Sequence, residues 1–112
     1  MVIKDNAKAQ FSDIISGELL SIYDEEWKDT IYYKAAINGK KQAQILKLYD
    51  QGKTVDAVCM ALIQRALNKD GDPIWRVGEL NELMREYDTN VISRIVEQIA
   101  DNEITVDEAK KP

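Results

Sequence analysis

The sequence predicts a mostly α (α+β) domain, a small bundle of about four to five helices with a β-hairpin near its N-terminus. Three observations predict it. Apolar residues recur at three- and four-residue spacing from Val55 to Leu67, from Leu80 to Tyr87 and from Ile92 to Ile99. Two short runs, LLSIY and TIYYKA, are rich in β-branched and aromatic residues and flank the polar stretch DEEWKD. The chain has 112 residues, 45% of them apolar, which suits one domain with a real but small core.

In order along the chain, Ala7, Phe11, Ile14 and Ile15 are helically spaced, and Gly17 is placed to end a short amphipathic helix. The hairpin follows. Alternation puts Leu20 and Ile22 on one face and Ile31 and Tyr33 on the matching face of its partner, with Tyr23 and Tyr32 turned the other way. An isolated hairpin is marginal in water, so this one must pack on helices or pair with another chain. Asn38-Gly39 ends the strand region. KKQAQILKLYD then reads as a helix with Ile45, Leu48 and Tyr49 on one face and Gly52 just past its end.

Thr54 is expected to cap the strongest element, whose stripe is Val55, Val58, Cys59, Leu62, Ile63, Ala66 and Leu67. Leu80, Leu83, Met84 and Tyr87 form one further stripe. Asp88 or Thr89 caps a last helix carrying Ile92, Ile95, Val96 and Ile99. Residues 1–100 make one domain. The run 101–112, DNEITVDEAKKP, has few apolar groups and reads as a flexible tail.

Composition removes whole classes of function. Histidine is absent, so Ser-His-Asp and Cys-His mechanisms are impossible within this chain, and the commonest metal ligand is missing. The single cysteine, Cys59, forms no intramolecular disulfide and sits in an apolar helical pattern, as a small hydrophobe does. Net charge is −5, against the clustered Lys and Arg that nucleic-acid backbones demand, although a DNA mimic uses negative charge directly. No apolar run is long enough to cross a membrane, and MVIKDNAKAQ lacks the apolar centre of a signal peptide, so a cytoplasmic protein is expected.

One stretch imitates a metal site. NKDGDPIWRVGEL places Asn68, Asp70, Asp72 and Glu79 at the first, third, fifth and twelfth places of an EF-hand loop. Its sixth place, which needs Gly, is Pro73, whose φ is locked near −65°. Trp75 and Arg76 stand at the eighth and ninth places. The run therefore reads as a turn in which Asp70-Gly71 reverses the chain, and Ile74 and Trp75 tuck beneath the helices. Neither a metal nor a cofactor is expected.

A second imitation, ILKLYDQGKTVDAV, is like the start of a helix-turn-helix. The expected long helix after it leaves no room for a tight turn and a recognition helix. The acidic Asp24-Glu25-Glu26 run and Lys40-Lys41 read as solvated surface. Trp27, an indole in a polar loop, is either packed against a helix or an interface anchor. Tyr23, Trp27, Tyr32 and Trp75 are the residues expected to touch a partner.

Glu26-Trp27, Ile31-Tyr32-Tyr33, the turn Asp70-Gly71-Asp72-Pro73-Ile74-Trp75 and the capped helix from Val91 to Ile99 come in an order and spacing that resembles the tail assembly chaperones of long-tailed bacteriophages. The likeness runs from about Ile15 to Ala100. Lys28, where Gly is frequent, and Asn68-Lys69, in place of a more acidic lead, depart from the pattern.

The resemblance implies a non-enzymatic protein of the host cytoplasm that binds the tape measure protein, helps recruit tail tube subunits and is absent from the finished tail. Many such chaperones are made in two forms, the longer by ribosomal frameshift near the end of the short reading frame, and the C-terminal AKKP is compatible with an A-rich slippery site in the coding DNA. Weak self-association or strand exchange through the hairpin is expected. The rival from the residues alone is a small regulatory protein that binds or mimics DNA; a gel shift showing retarded DNA would favour it.

Overall fold

In the computed structural model the described residues are 2–109, with side chains described as far as Asp101. The order of elements is helix α1 (Val2–Ser16), strands β1 (Leu20–Asp24) and β2 (Asp29–Tyr33), helices α2 (Gly39–Asp50) and α3 (Thr54–Arg65), a short 3-10 turn (Val77–Glu79), and helices α4 (Leu80–Glu86) and α5 (Thr89–Ala109). The five helices and the antiparallel hairpin are those expected from the periodicities.

α3 is the spine. Seven of its twelve residues are buried, so it is enclosed on more than one side: α2 packs on one flank, α4 and α5 on another. The main core gathers Ile31 and Tyr33 from the hairpin, Cys59, Leu62, Ile63 and Ala66 from the α3 region, Leu83 from α4, and Val91, Ile92, Ile95 and Ile99 from α5. A smaller cluster, Ile45 with Met60 and Ala61, seats α2. Burial pushes the pKa of the Cys59 thiol up, and the nearby Asp56 charge adds to it, so the thiolate is suppressed.

The register pairs Leu20 with Tyr33 and Ile22 with Ile31, so these four share one face, which packs on the core as alternation requires. The hairpin loop is Glu25–Lys28, and Lys28 closes it with φ 54. A side chain in this left-handed region costs roughly 1–2 kcal/mol, which explains why Gly suits this position. Lys28→Gly is expected to raise stability by about 0.5–1 kcal/mol, the relief being partly offset by a more flexible unfolded chain. Urea denaturation checks it; an unchanged or lower midpoint contradicts the strain.

The capping signals are local and mostly behave as read. Asn38 Oδ1 accepts the Lys41 N–H at 3.0 Å and starts α2. Gly52, φ 77, ends it: Lys53 N–H donates to Leu48 O and Gly52 N–H to Tyr49 O, the paired bonds of a Schellman stop. Asp88 Oδ1 accepts the Asn90 N–H at 2.9 Å and caps α5.

The expectations at Thr54, Val55, Leu67, Tyr49 and Ile74 need correction. Thr54 is the first helical residue of α3, and no side chain caps that end. Val55 lies in the first turn, still 49% exposed, before the enclosed face begins at Ala57. Leu67 is not helical, because β2 has a second edge to satisfy. Tyr32 N–H donates to Leu67 O at 3.0 Å and Leu67 N–H to Tyr32 O at 2.7 Å, so the chain turns extended at Ala66. Tyr49 stays exposed on the flank of α2. Ile74 is exposed as well; only Trp75 of that pair packs inward. α1 forms but buries no residue, its apolar stripe being covered only in part at Ile14 and Ile15. The backbone of α5 runs on to Ala109, where neither Gly nor Pro interrupts it. The expected tail lies almost wholly outside the residues whose side chains are described.

Candidate functional site

Three rings meet at one end of the bundle. Trp27 comes from the hairpin loop, Trp75 from the turn after α3, and Tyr87 from the residue just past α4. Each pair of rings meets edge to face, with centroids 6.1 Å apart for Trp27–Trp75, 6.0 Å for Trp27–Tyr87 and 5.9 Å for Trp75–Tyr87. That is the arrangement favoured by ring quadrupoles. The Trp75 indole N–H donates to the Tyr87 hydroxyl at 3.4 Å. Both indoles are half-buried against the core, while Tyr87 keeps 37% of its surface open.

Two polar devices aim the indoles. At the hairpin, the inward register that sets Leu20 and Ile22 also sends Asp24 inward, and its side chain is 3% exposed. Its carboxylate accepts the Trp27 N–H at 2.9 Å and the Arg94 guanidinium, from α5, at 2.5 Å; Arg94 also holds Glu26 at 2.9 Å. Burial alone pushes the Asp24 carboxyl up. The Arg94 hydrogen bond, the Trp27 N–H, the Arg94 charge and the Glu26 N–H together outweigh it and hold Asp24 below the ordinary range. The loop is thereby clamped to α5, and Trp27 is folded back over the core.

At the second turn, Asn68 Oδ1 accepts the N–H groups of Asp70 at 2.9 Å and Asp72 at 3.0 Å, and Gly71 takes φ 87. The Asn68 amide oxygen, first in the imitation EF-hand order, is thus committed to backbone donors, and the run is a turn that delivers Trp75. Arg76 N–H donates to Glu79 Oε1 at 3.1 Å and opens the helical segment that follows.

Of the four aromatic residues expected at a partner surface, the fold brings Trp27 and Trp75 together. Tyr23 stands apart, 61% exposed on the outer face of β1 beside the hollow lined by Glu25, Arg94 and Gln98. Tyr32 is half-buried on the outer face of β2, and its backbone is occupied by Leu67. Tyr87 was legible only as one more member of the α4 stripe. Arg94 carried no signal, but the parity of Asp24 with Leu20 and Ile22 marks an inward carboxylate that needs a cation.

No family model matches the chain, and no curated protein matches it in sequence. A solved structure is similar in fold: the tail assembly chaperone of bacteriophage HK97, with a TM-score of 0.65, 14% sequence identity, and 82% of this chain and 95% of that one covered. The chain has the fold of a phage tail assembly chaperone.

That chaperone fold also settles the place of α2 and α3. Although they form a helix-turn-helix-like pair, α3 is enclosed in the core along most of its length and offers no free face to a DNA groove. No helix among the described residues is long and apolar enough to cross a membrane.

Proposed function

We propose that the protein is a non-enzymatic tail assembly chaperone that binds the tape measure protein in the host cytoplasm, helps bring tail tube subunits to it and leaves before the tail is complete. The observation that carries this reading is the likeness in fold to the HK97 chaperone over 82% of this chain and 95% of that one. The order of sequence motifs along the chain supports it independently.

The surface suits the task. Large apolar side chains stay exposed on several elements, among them Phe11, Tyr49, Ile74 and Val77, as a protein that covers helical segments of another chain requires. Trp27, Trp75 and Tyr87 form a rigid aromatic end suited to anchor such a segment, with Tyr23 and Tyr32 on the adjoining outer face of the hairpin. Net negative charge keeps many copies on one filament apart and soluble. β1 is paired on one side only, so its open edge offers a second copy a place to add a strand. Groups for catalysis are few: histidine is absent and the thiol is buried.

Co-expression with a tape measure protein encoded beside it is the test. The tape measure product is expected to move severalfold into the soluble fraction and to co-purify with this chain. If it stays in inclusion bodies with this protein abundant and folded, the proposal fails.

A further inference from the structure

We infer that the groove between α1 and the segment after β2 is a docking site for an acidic amphipathic helix of a protein partner. It goes beyond the proposed function, since it lies on a surface distinct from the aromatic end and states the charge of what binds there.

The groove has a volume of about 340 Å³. Phe11 and Ile15 form one wall, and Ile37 and Leu67 line it from the body of the domain. Lys34, Lys41 and Arg65 also line it, and among the described lining residues none is acidic. In a chain of net charge −5 this is a local reversal of sign. Arg65 is buried and its guanidinium donates to Lys34 O at 2.8 Å, which ties the segment after β2 to α3, so the charge a partner would meet is that of Lys34 and Lys41.

α1 extends the track. At about 100° per residue, Ile3, Ala7, Phe11 and Ile15 fall on one side of the helix. Lys4 and Lys8 flank that side, while Asp5 and Asp13 fall on the other. Ile3 is 68% exposed and Phe11 36%, so the stripe continues uncovered beyond the groove. An apolar row edged by lysines matches a helix that carries its own apolar row edged by Glu or Asp. A basic or neutral helix would leave the lysines Lys4, Lys8, Lys34 and Lys41 unmatched along the same path.

The probe is a labelled synthetic helix of about 20 residues, with Leu at helical spacing and Glu on both flanks, titrated onto the full chain by fluorescence anisotropy. A twin peptide carries Lys in place of Glu. The Glu peptide is expected to bind about tenfold more tightly than its twin, and to weaken as salt rises. Phe11→Glu and the double variant Lys34→Glu/Lys41→Glu are expected to abolish that preference, while Leu46→Glu, on the exposed flank of α2, leaves it intact. Should Phe11→Glu unfold the chain, Lys4→Glu/Lys8→Glu, at two exposed positions, tests the same face through charge alone. Equal affinity for the two peptides, or binding indifferent to all of these changes, overturns the inference. So does sedimentation in which the chain self-associates through α1 and Phe11→Glu makes it monomeric without peptide having bound, because the occupant is then a second copy. None of these readouts involves the tape measure protein, so failure here leaves the proposed function standing.

Discussion

Asp24→Ala is expected to destabilise the fold by about 2–3 kcal/mol at neutral pH, since it strands a part-buried Trp27 N–H and removes the acceptor that fixes Arg94. Among the described residues the loop Glu25–Lys28 has no other buried tie to α5: Glu26 also reaches Arg94, but it is 59% exposed and such a pair contributes little. Loosening the loop frees Trp27, so the loss reaches the aromatic end. The pH dependence carries its own signature. Asp24 is held below its ordinary value of 3.8, so its contribution is whole above that value and disappears as pH falls through the lower, folded value. The gap between the wild-type chain and Asp24→Ala should therefore be widest near neutrality and shrink in acid below 3.8. Arg94 on α5 is the cation bonded to Asp24, with Glu26 on the same guanidinium and Asp29 opposite in the register; Arg94 stays charged throughout, so the Asp24 carboxylate is the titrating member of that pair. Urea midpoints measured from neutrality into acid decide the matter. A gap that stays constant with pH means that the carboxylate charge contributes nothing.

Trp27→Ala is expected to cost about 3 kcal/mol and, in a domain of this size, to lower the melting temperature by more than about 10 °C. The indole fills the space between Trp75, Tyr87 and the core, and its removal leaves two rings without their common partner. Trp27→Tyr keeps a ring there and should recover much of the loss. The two tryptophans of the chain belong to this one cluster, so intrinsic fluorescence reports it directly. If Trp27 also anchors the proposed partner, Trp27→Tyr should weaken co-purification of the tape measure protein more than its melting temperature explains. Equal melting of Trp27→Ala and wild type would show that the cluster does not hold the hairpin down.

Much of this molecule is legible without coordinates. The stripes on α3, α4 and α5 assign most of the core, because a helix of period 3.6 buries whatever side chains recur on one face. The alternation in the hairpin assigns the inward faces of β1 and β2, and Gly52 and Asp88 mark helix ends by chemistry confined to a few neighbouring residues. Absence of histidine narrows the chemistry before any fold is known.

The rest depended on which distant segments meet. Leu67 continued the helical period and yet is extended, because two hydrogen bonds to Tyr32, far away in sequence, satisfy the open edge of β2. Arg94 looked like one more surface cation on α5 until the hairpin set Asp24 against it. Trp27, Trp75 and Tyr87 lie on three separate segments, and no periodicity relates them. α1 shows the converse: its apolar stripe is real, but it is covered only in part, at Ile14 and Ile15, so amphipathic spacing predicted the helix and not its burial. Local patterns record what one segment offers, a periodic face or a capping side chain. Whether a face is covered, an edge paired or a charge neutralised is fixed by the partner that folding brings to it, and that partner is written elsewhere in the chain.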